Sequence, residues 1–254
     1  MFKKGFVIWS SLLLSILPFE NNAQDLNVIL NEAKQLEAAF KDKEALDKYL
    51  DILRYQPTNL TALIKASELH SILGKRQATK DKQKQFYNLA KTYAQKALQV
   101  NANSADANFV MAVAMGRVAQ IAPSDEKIKA IREIKSYAEK SIRLDASNFK
   151  GYHVLGKWHF EVSNLSALEK WLVKVAFGTL PEASLDDAIR NYEKSKQLFG
   201  GFLLNYLELA KAYHRKDKNA KAVEYLEALL KLPDLTSDDA TVRREAQKLL
   251  KEYK

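Results

Sequence analysis

Along this chain a small residue recurs at the centre of one apolar frame, and that recurrence constrains the fold more than any other feature. The frame reads Leu63, Ala66, Ser67, His70, then Asn108, Met111, Ala112, Met115. It returns as Tyr152, Leu155, Gly156, His159 and as Tyr206, Leu209, Ala210, Tyr213. Residues at i, i+3, i+4 and i+7 share one face of an α-helix. An earlier copy centres on Ala33, between Ile29 and Leu36. Glycine is costly inside a helix, so Gly156 is expected to admit a close-packed neighbouring helix.

The centres at 33, 67, 112, 156 and 210 are separated by 34, 45, 44 and 54 residues. The first interval equals the tetratricopeptide repeat (TPR) period of about 34 residues, a helical hairpin per unit. Ala45, Tyr49 and Pro57 follow Ala33 by 12, 16 and 24 residues, at the small, aromatic and proline positions of that repeat. The ends of the second helices, LRYQPTN, LQVNANS and IRLDASN, resemble one another. Longer helices on both sides of each turn would absorb the wider intervals. Only 8 Gly and 5 Pro in 254 residues fit an all-α chain. The expected architecture is a TPR-like α-solenoid over residues 24–254, concave on the side of the first helices, with an insertion at 163–183. TSDDATVRREAQKLLKEYK closes the chain as a polar capping helix.

The insertion reads as one short helix. Ser166 and Glu169 match a capping box, and Gly178 then Pro181 stop the helix. Leu168, Trp171, Leu172 and Val175 form its apolar stripe, expected to pack into the repeat with Trp158 and Phe177. Lys170 and Lys174 would point away, free to meet a partner. Ser184 caps the next helix, with Asp186 and Asp187 in its first turn.

Residues 1–23 differ from the rest. Lys3 and Lys4 precede an uncharged run from Gly5 to Leu17, and PFENNA follows. That layout is a secretory signal peptide, expected to be cut after Ala23, giving an exported, periplasmic or secreted protein. The loss of Lys3, Lys4 and Glu20 would move the net charge from +9 to +8. The alternative is an N-terminal membrane anchor, for which the run is short.

Little in the sequence supports catalysis. There is no cysteine, no G-x-S-x-G, no glycine-rich phosphate loop and no H-E-x-x-H. His153 and His159 are six apart and do not share a metal-binding face, so no metal, cofactor or catalytic residue is expected. Asp238 and Asp239 read as capping residues. Lys75, Arg76, Lys80, Lys82, Lys84, Lys91 and Lys96 read as a solvated hairpin tip, with docking to an acidic or anionic membrane surface as the alternative. A leader argues against a nucleic-acid partner.

The run YHVLGKWHFEVSNLSALEKWLVKVAFGTLPEASLDDAIRNYEKS resembles the signature region of the regulator of microtubule dynamics family. The matching residues are Leu155, Gly156, Lys157, Trp158, Phe160, Glu161, Val162, Phe177, Gly178 and Pro181, and DDATVRREAQKLL resembles the family's last helix. The similarity spans roughly residues 60–254. It implies a TPR-like array, and in eukaryotic members an association with microtubules, spindle poles and mitochondria. With the leader, it points to an exported bacterial relative. The function expected is a non-enzymatic adaptor binding a protein or peptide on its concave face. Lys170, Lys174, His153, Lys157 and Glu161 are the candidate partner-binding residues. The alternatives are a carrier of an apolar ligand such as lipid and a membrane-anchored cytoskeletal protein.

Overall fold

The computed structural model of the chain describes residues 20–179 and 182–254, with the side chains of 20–25, 124, 125 and 177 outside that description. Among the described residues there are twelve α-helices and no strand. They are α1 (Glu20–Ala38), α2 (Asp42–Tyr55), α3 (Leu60–Lys75), α4 (Lys80–Val100), α5 (Ala105–Ile121) and α6 (Ser124–Leu144). Then come α7 (Phe149–Ser163), α8 (Ala167–Phe177), α9 (Leu185–Leu198), α10 (Leu203–His214), α11 (Asn219–Lys231) and α12 (Asp239–Tyr253). The expected leader lies largely outside the described residues, and α1 begins ahead of the expected cut after Ala23. No described helix is long and apolar enough to cross a membrane.

The repeat follows from local chemistry. The polar residues ending each similar segment, Asn59, Ser104 and Asn148, cap the next helix by accepting the amides of Ala62, Ala107 and Gly151. Helices α4 and α6 each run 21 residues, which accounts for the wide second and third intervals. Each hairpin packs internally, and the first helices α3, α5, α7 and α10 line up side by side, with α12 against α10. The centres Ala33, Ser67, Ala112, Gly156 and Ala210 are all buried. Ala45 and Tyr49 are fully buried in the first hairpin, as their repeat positions require.

The insertion differs from expectation in which face it buries. Its capping box forms: Ser166 accepts the Glu169 amide, and the Glu169 carboxylate accepts the Ser166 amide. Gly178 ends α8 at φ +74, a left-handed cap that favours glycine. Inside, however, stand Leu165, Leu172 and Val173, against Ile128 and Ile131 of α6 and Trp158 and Val162 of α7. Leu168, Trp171 and Val175 face solvent at 65%, 57% and 63% exposure, so Trp171 is not a core residue. The side chain of Phe177 and all of Pro181 lie outside the described residues. The helix is apolar on two faces. An ion pair from Lys127 of α6 to Glu169, at 2.9 Å, helps set which one turns inward.

Two further expectations are corrected. Lys75 and Arg76 are not a solvated tip: Lys75 pairs with Asp238, and Arg76 bridges Asp42 and Asp238. Nor does Asp238 cap α12, since its carboxylate accepts from Arg76 and Lys75. Asp239 instead accepts the amides of Leu235 and Thr236, closing the turn before the helix. These bonds tie the turn ahead of the last helix to the starts and ends of the first hairpins, so the array curves back on itself.

Candidate functional site

The concave face is formed by the first helices, and it carries charge rather than apolar surface. In each of those helices the residue after the small centre is half-buried: Glu68, Val113, Lys157 and Lys211. Around them run two chains of ion pairs. Lys65 joins Glu37 at 2.7 Å and Glu68 at 3.3 Å, and Lys150 reaches Glu68 at 2.5 Å. Lys150 belongs to α7 and Glu68 to α3, so this pair spans α5, with the Lys150 amine 5.3 Å from the Phe109 ring centre. In the second chain Lys157 meets Glu161 at 2.9 Å and Glu208 at 2.7 Å. Lys211 continues it, from Glu208 at 3.2 Å to Glu245 of α12 at 2.7 Å.

Enclosure shapes the electrostatics. Burial alone would raise the Glu68 carboxyl, but Lys150 and Lys65 outweigh it and hold the group at about 2. Glu208 is likewise held low against its own burial, by Lys157 and then Lys211. Lys157 keeps its proton because Glu208 and Glu161 offset the cost of burial. Each of these three groups is therefore ionised near neutral pH, and solvent still reaches the lysines beside them.

Arg117 stands apart from both chains. It lies on α5, four residues past Val113, and donates a hydrogen bond to Gln120 at 3.3 Å. Its Nε is buried with no partner among the described residues. Beside it, a β-carbon on Gly116 would meet nothing within 4 Å, so the space over this turn of α5 is open.

The candidate residues separate into three groups. His153 is buried: its Nδ1 lies 3.0 Å from Asn205 Oδ1, and its ring packs edge-on to Phe202. Burial first, against the Asn205 hydrogen bond, brings its imidazole down to about 4, so it is neutral and structural. Lys157 and Glu161 are on the concave face, in the second ion-pair chain. Lys170 and Lys174 are exposed on α8, away from that face. Within the signature region, Gly156 is buried under Tyr192, and Trp158 is buried with its indole N–H donating to the Ile131 carbonyl at 2.7 Å. Leu155 is half-buried. Lys65, Glu68, Arg117, Lys150, Glu208 and Lys211 went unrecognised in the sequence. The register marks five of them: Glu68 and Lys211 each follow a frame centre, Lys65 and Glu208 stand two residues before one, and Arg117 lies five residues past one.

Among the described residues no three His, Asp or Glu side chains group as a metal site. His70 bonds the Ala66 carbonyl and stacks on Tyr93, and His214 stacks on Tyr253 with ring centres 3.7 Å apart.

Comparison with known proteins agrees with this architecture. The sequence profile described as regulator of microtubule dynamics protein 1-3 matches residues 29–254. Regulator of microtubule dynamics protein 2 of Homo sapiens is 27% identical over 172 residues, 67% of this chain and 42% of that protein. Protein 3 of Rattus norvegicus is 28% identical over 171 residues, 66% of this chain and 36% of that protein. Protein 1 of Caenorhabditis elegans is 27% identical over 158 residues, 62% of this chain and 70% of that protein. The match thus spans about two fifths of the human and rat relatives. Among solved structures, a thermophilic TPR protein of Thermus thermophilus superposes with a TM-score of 0.64 at 15% identity, covering 89% of this chain and 98% of that one. PilW, a type IV pilus biogenesis factor, superposes at 0.55 with 14% identity, covering 91% and 90%. At such identities these two likenesses speak for the fold alone.

Proposed function

The chain belongs to the regulator of microtubule dynamics family, and from that premise we propose that it is a non-enzymatic scaffold holding an extended polypeptide segment along its concave face. The observation that carries this reading is the concave face itself, lined by two ion-pair chains. On α5, the helix that contacts both α3 and α7, stands Arg117, whose guanidinium has no carboxylate partner among the described residues. Such a surface suits a segment of mixed charge. Its acidic side chains exchange into the lysines, and one carboxylate takes the open place over Gly116 and Arg117. A strong buried pair is recovered for each one displaced, so specificity rests on charge order more than on apolar area.

The test is a photo-crosslinking amino acid placed at Val113, on the concave face, or at Leu89, an exposed position of α4. A segment bound as proposed crosslinks at 113 and not at 89, and R117E abolishes the 113 adduct while the helical content stays unchanged. Crosslinks from 89 alone, or a 113 adduct indifferent to R117E, would overturn the reading.

The same proposal takes residues 1–23 as a cleaved leader, which would place the scaffold outside the cytoplasm. Amino-terminal sequencing of the protein from its native source checks this. A chain that still begins at Met1 would remove it.

A further inference from the structure

Helix α8 is held to the fold by one face and leaves a second apolar face to solvent. Leu168, Trp171 and Val175 lie within about 60° of one another around the helix axis. All three are more than half exposed. A tryptophan at that exposure, flanked by a leucine and a valine, is a costly surface for packing alone to leave. Lys170 and Lys174 are also exposed and make no ion pair among the described residues. The acid of the same helix, Glu169, is already engaged by Lys127 and by the Ser166 cap. The outward half of α8 therefore presents an apolar ridge with two uncompensated positive charges at its side.

We infer that this face of α8 docks on an anionic lipid bilayer. The charge decides against a second copy of the chain, because two such faces would bring four unpaired lysines together. The shape decides against a partner helix in a groove, because the residues form a ridge. Two grooves are lined by other elements, one by α2, α3 and α4 and one by α4, α5 and α6. A bilayer interface accepts what is present: tryptophan and aliphatic side chains sink to the headgroup boundary, and lysines meet the anionic headgroups. The anchoring is firm. Val173 is fully buried, and the Arg132 guanidinium bonds Thr179 just past the helix end at 3.2 Å, so α8 is fastened at its inner face and beyond its last turn.

The chain contains no cysteine, so a single one reports its own site. The experiment uses the full chain carrying L168C, labelled with an environment-sensitive fluorophore, mixed with vesicles of phosphatidylcholine alone or with phosphatidylglycerol. The V175C variant is a second reporter should the first fold poorly, and Y55C, on exposed α2, is the control. The expected result is a blue-shifted, brighter emission at 168 and 175 with the anionic vesicles only. Salt should reverse it, K170E/K174E should weaken it at least tenfold, and position 55 should not respond. Because the reporter sits on α8, attachment through residues 1–23 alone leaves the signal flat, and that outcome overturns the inference. An equal response to phosphatidylcholine alone overturns it too. So does a response that grows with protein concentration in the absence of vesicles, which would identify a second copy as the occupant.

Discussion

Gly156 and Tyr192 are in contact that no β-carbon would fit: a methyl group placed on Gly156 would lie 2.7 Å from the Tyr192 ring. Tyr192 is itself fully buried, between α7 and α10, with little room to withdraw. Gly156→Ala therefore sets two effects against each other. Helix propensity favours alanine by about 1 kcal/mol, while overpacking a filled core costs about 1–3 kcal/mol. We expect a net loss of stability, seen as a lowered midpoint in urea. A variant more stable than the parent would show that Tyr192 can move aside.

The two described tryptophans should behave oppositely. Trp158 is 4% exposed and its indole N–H is bonded, so Trp158→Ala should cost about 3–5 kcal/mol, as large aromatic truncations in cores do. Trp171 is 57% exposed, and Trp171→Ala should change stability by less than about 1 kcal/mol. Thermal unfolding of the two variants side by side decides it. Equal losses would contradict the orientation of α8.

Arg76 is the clasp between the ends of the array. Its guanidinium reaches Asp42 at 2.7 Å, Asp238 at 2.6 Å and Ser237 at 2.6 Å, joining α3 to the starts of α2 and α12. Asp42 is nearly buried and would be left without its cation in Arg76→Ala. The expected outcome is faster amide exchange in α12 and around Asp42, with a larger radius of gyration by solution scattering. Unchanged exchange in both places would mean that packing of α12 on α10 and α11 alone holds the curvature.

Stability should fall as acidity rises through a defined window. Burial holds His153 and His159 at about 4, with Lys135 adding to the effect at His159, whereas the unfolded chain takes up protons near 6.5. Between those values the unfolded state binds more protons, so stability drops as the pH falls from about 6.5 to about 4, by on the order of 2 kcal/mol per histidine. Glu68, held at about 2, loses its contribution only further down, from about 4.5 towards 2. Denaturant midpoints measured at intervals of pH test this. His159→Phe should flatten the upper part of the profile, since the His159 Nδ1 has no partner among the described residues to lose.

Periodicity and capping chemistry by themselves determine most of the fold. The frames around Ser67, Ala112, Gly156 and Ala210 located first helices of the hairpins, because a small residue among large ones on one helical face marks a close crossing. Ser166, Gly178 and Ser184 marked where helices start and stop, because each satisfies or releases backbone groups within a few residues of itself. All of this is local, so it is written in local order along the chain.

What the tertiary structure alone decided is orientation and long-range pairing. Leu168, Trp171 and Val175 share a helix with Leu172 and Val173, and both faces are apolar enough to be buried. The choice fell to the matching surface of α6 and to the Lys127–Glu169 pair, 42 residues apart in sequence. Arg76 and Asp238, 162 residues apart, meet only because the superhelix curves through a given angle per repeat. Lys150 finds Glu68 across α5 for the same reason. Curvature accumulates from small rotations at every hairpin interface, and no short stretch of residues encodes that sum.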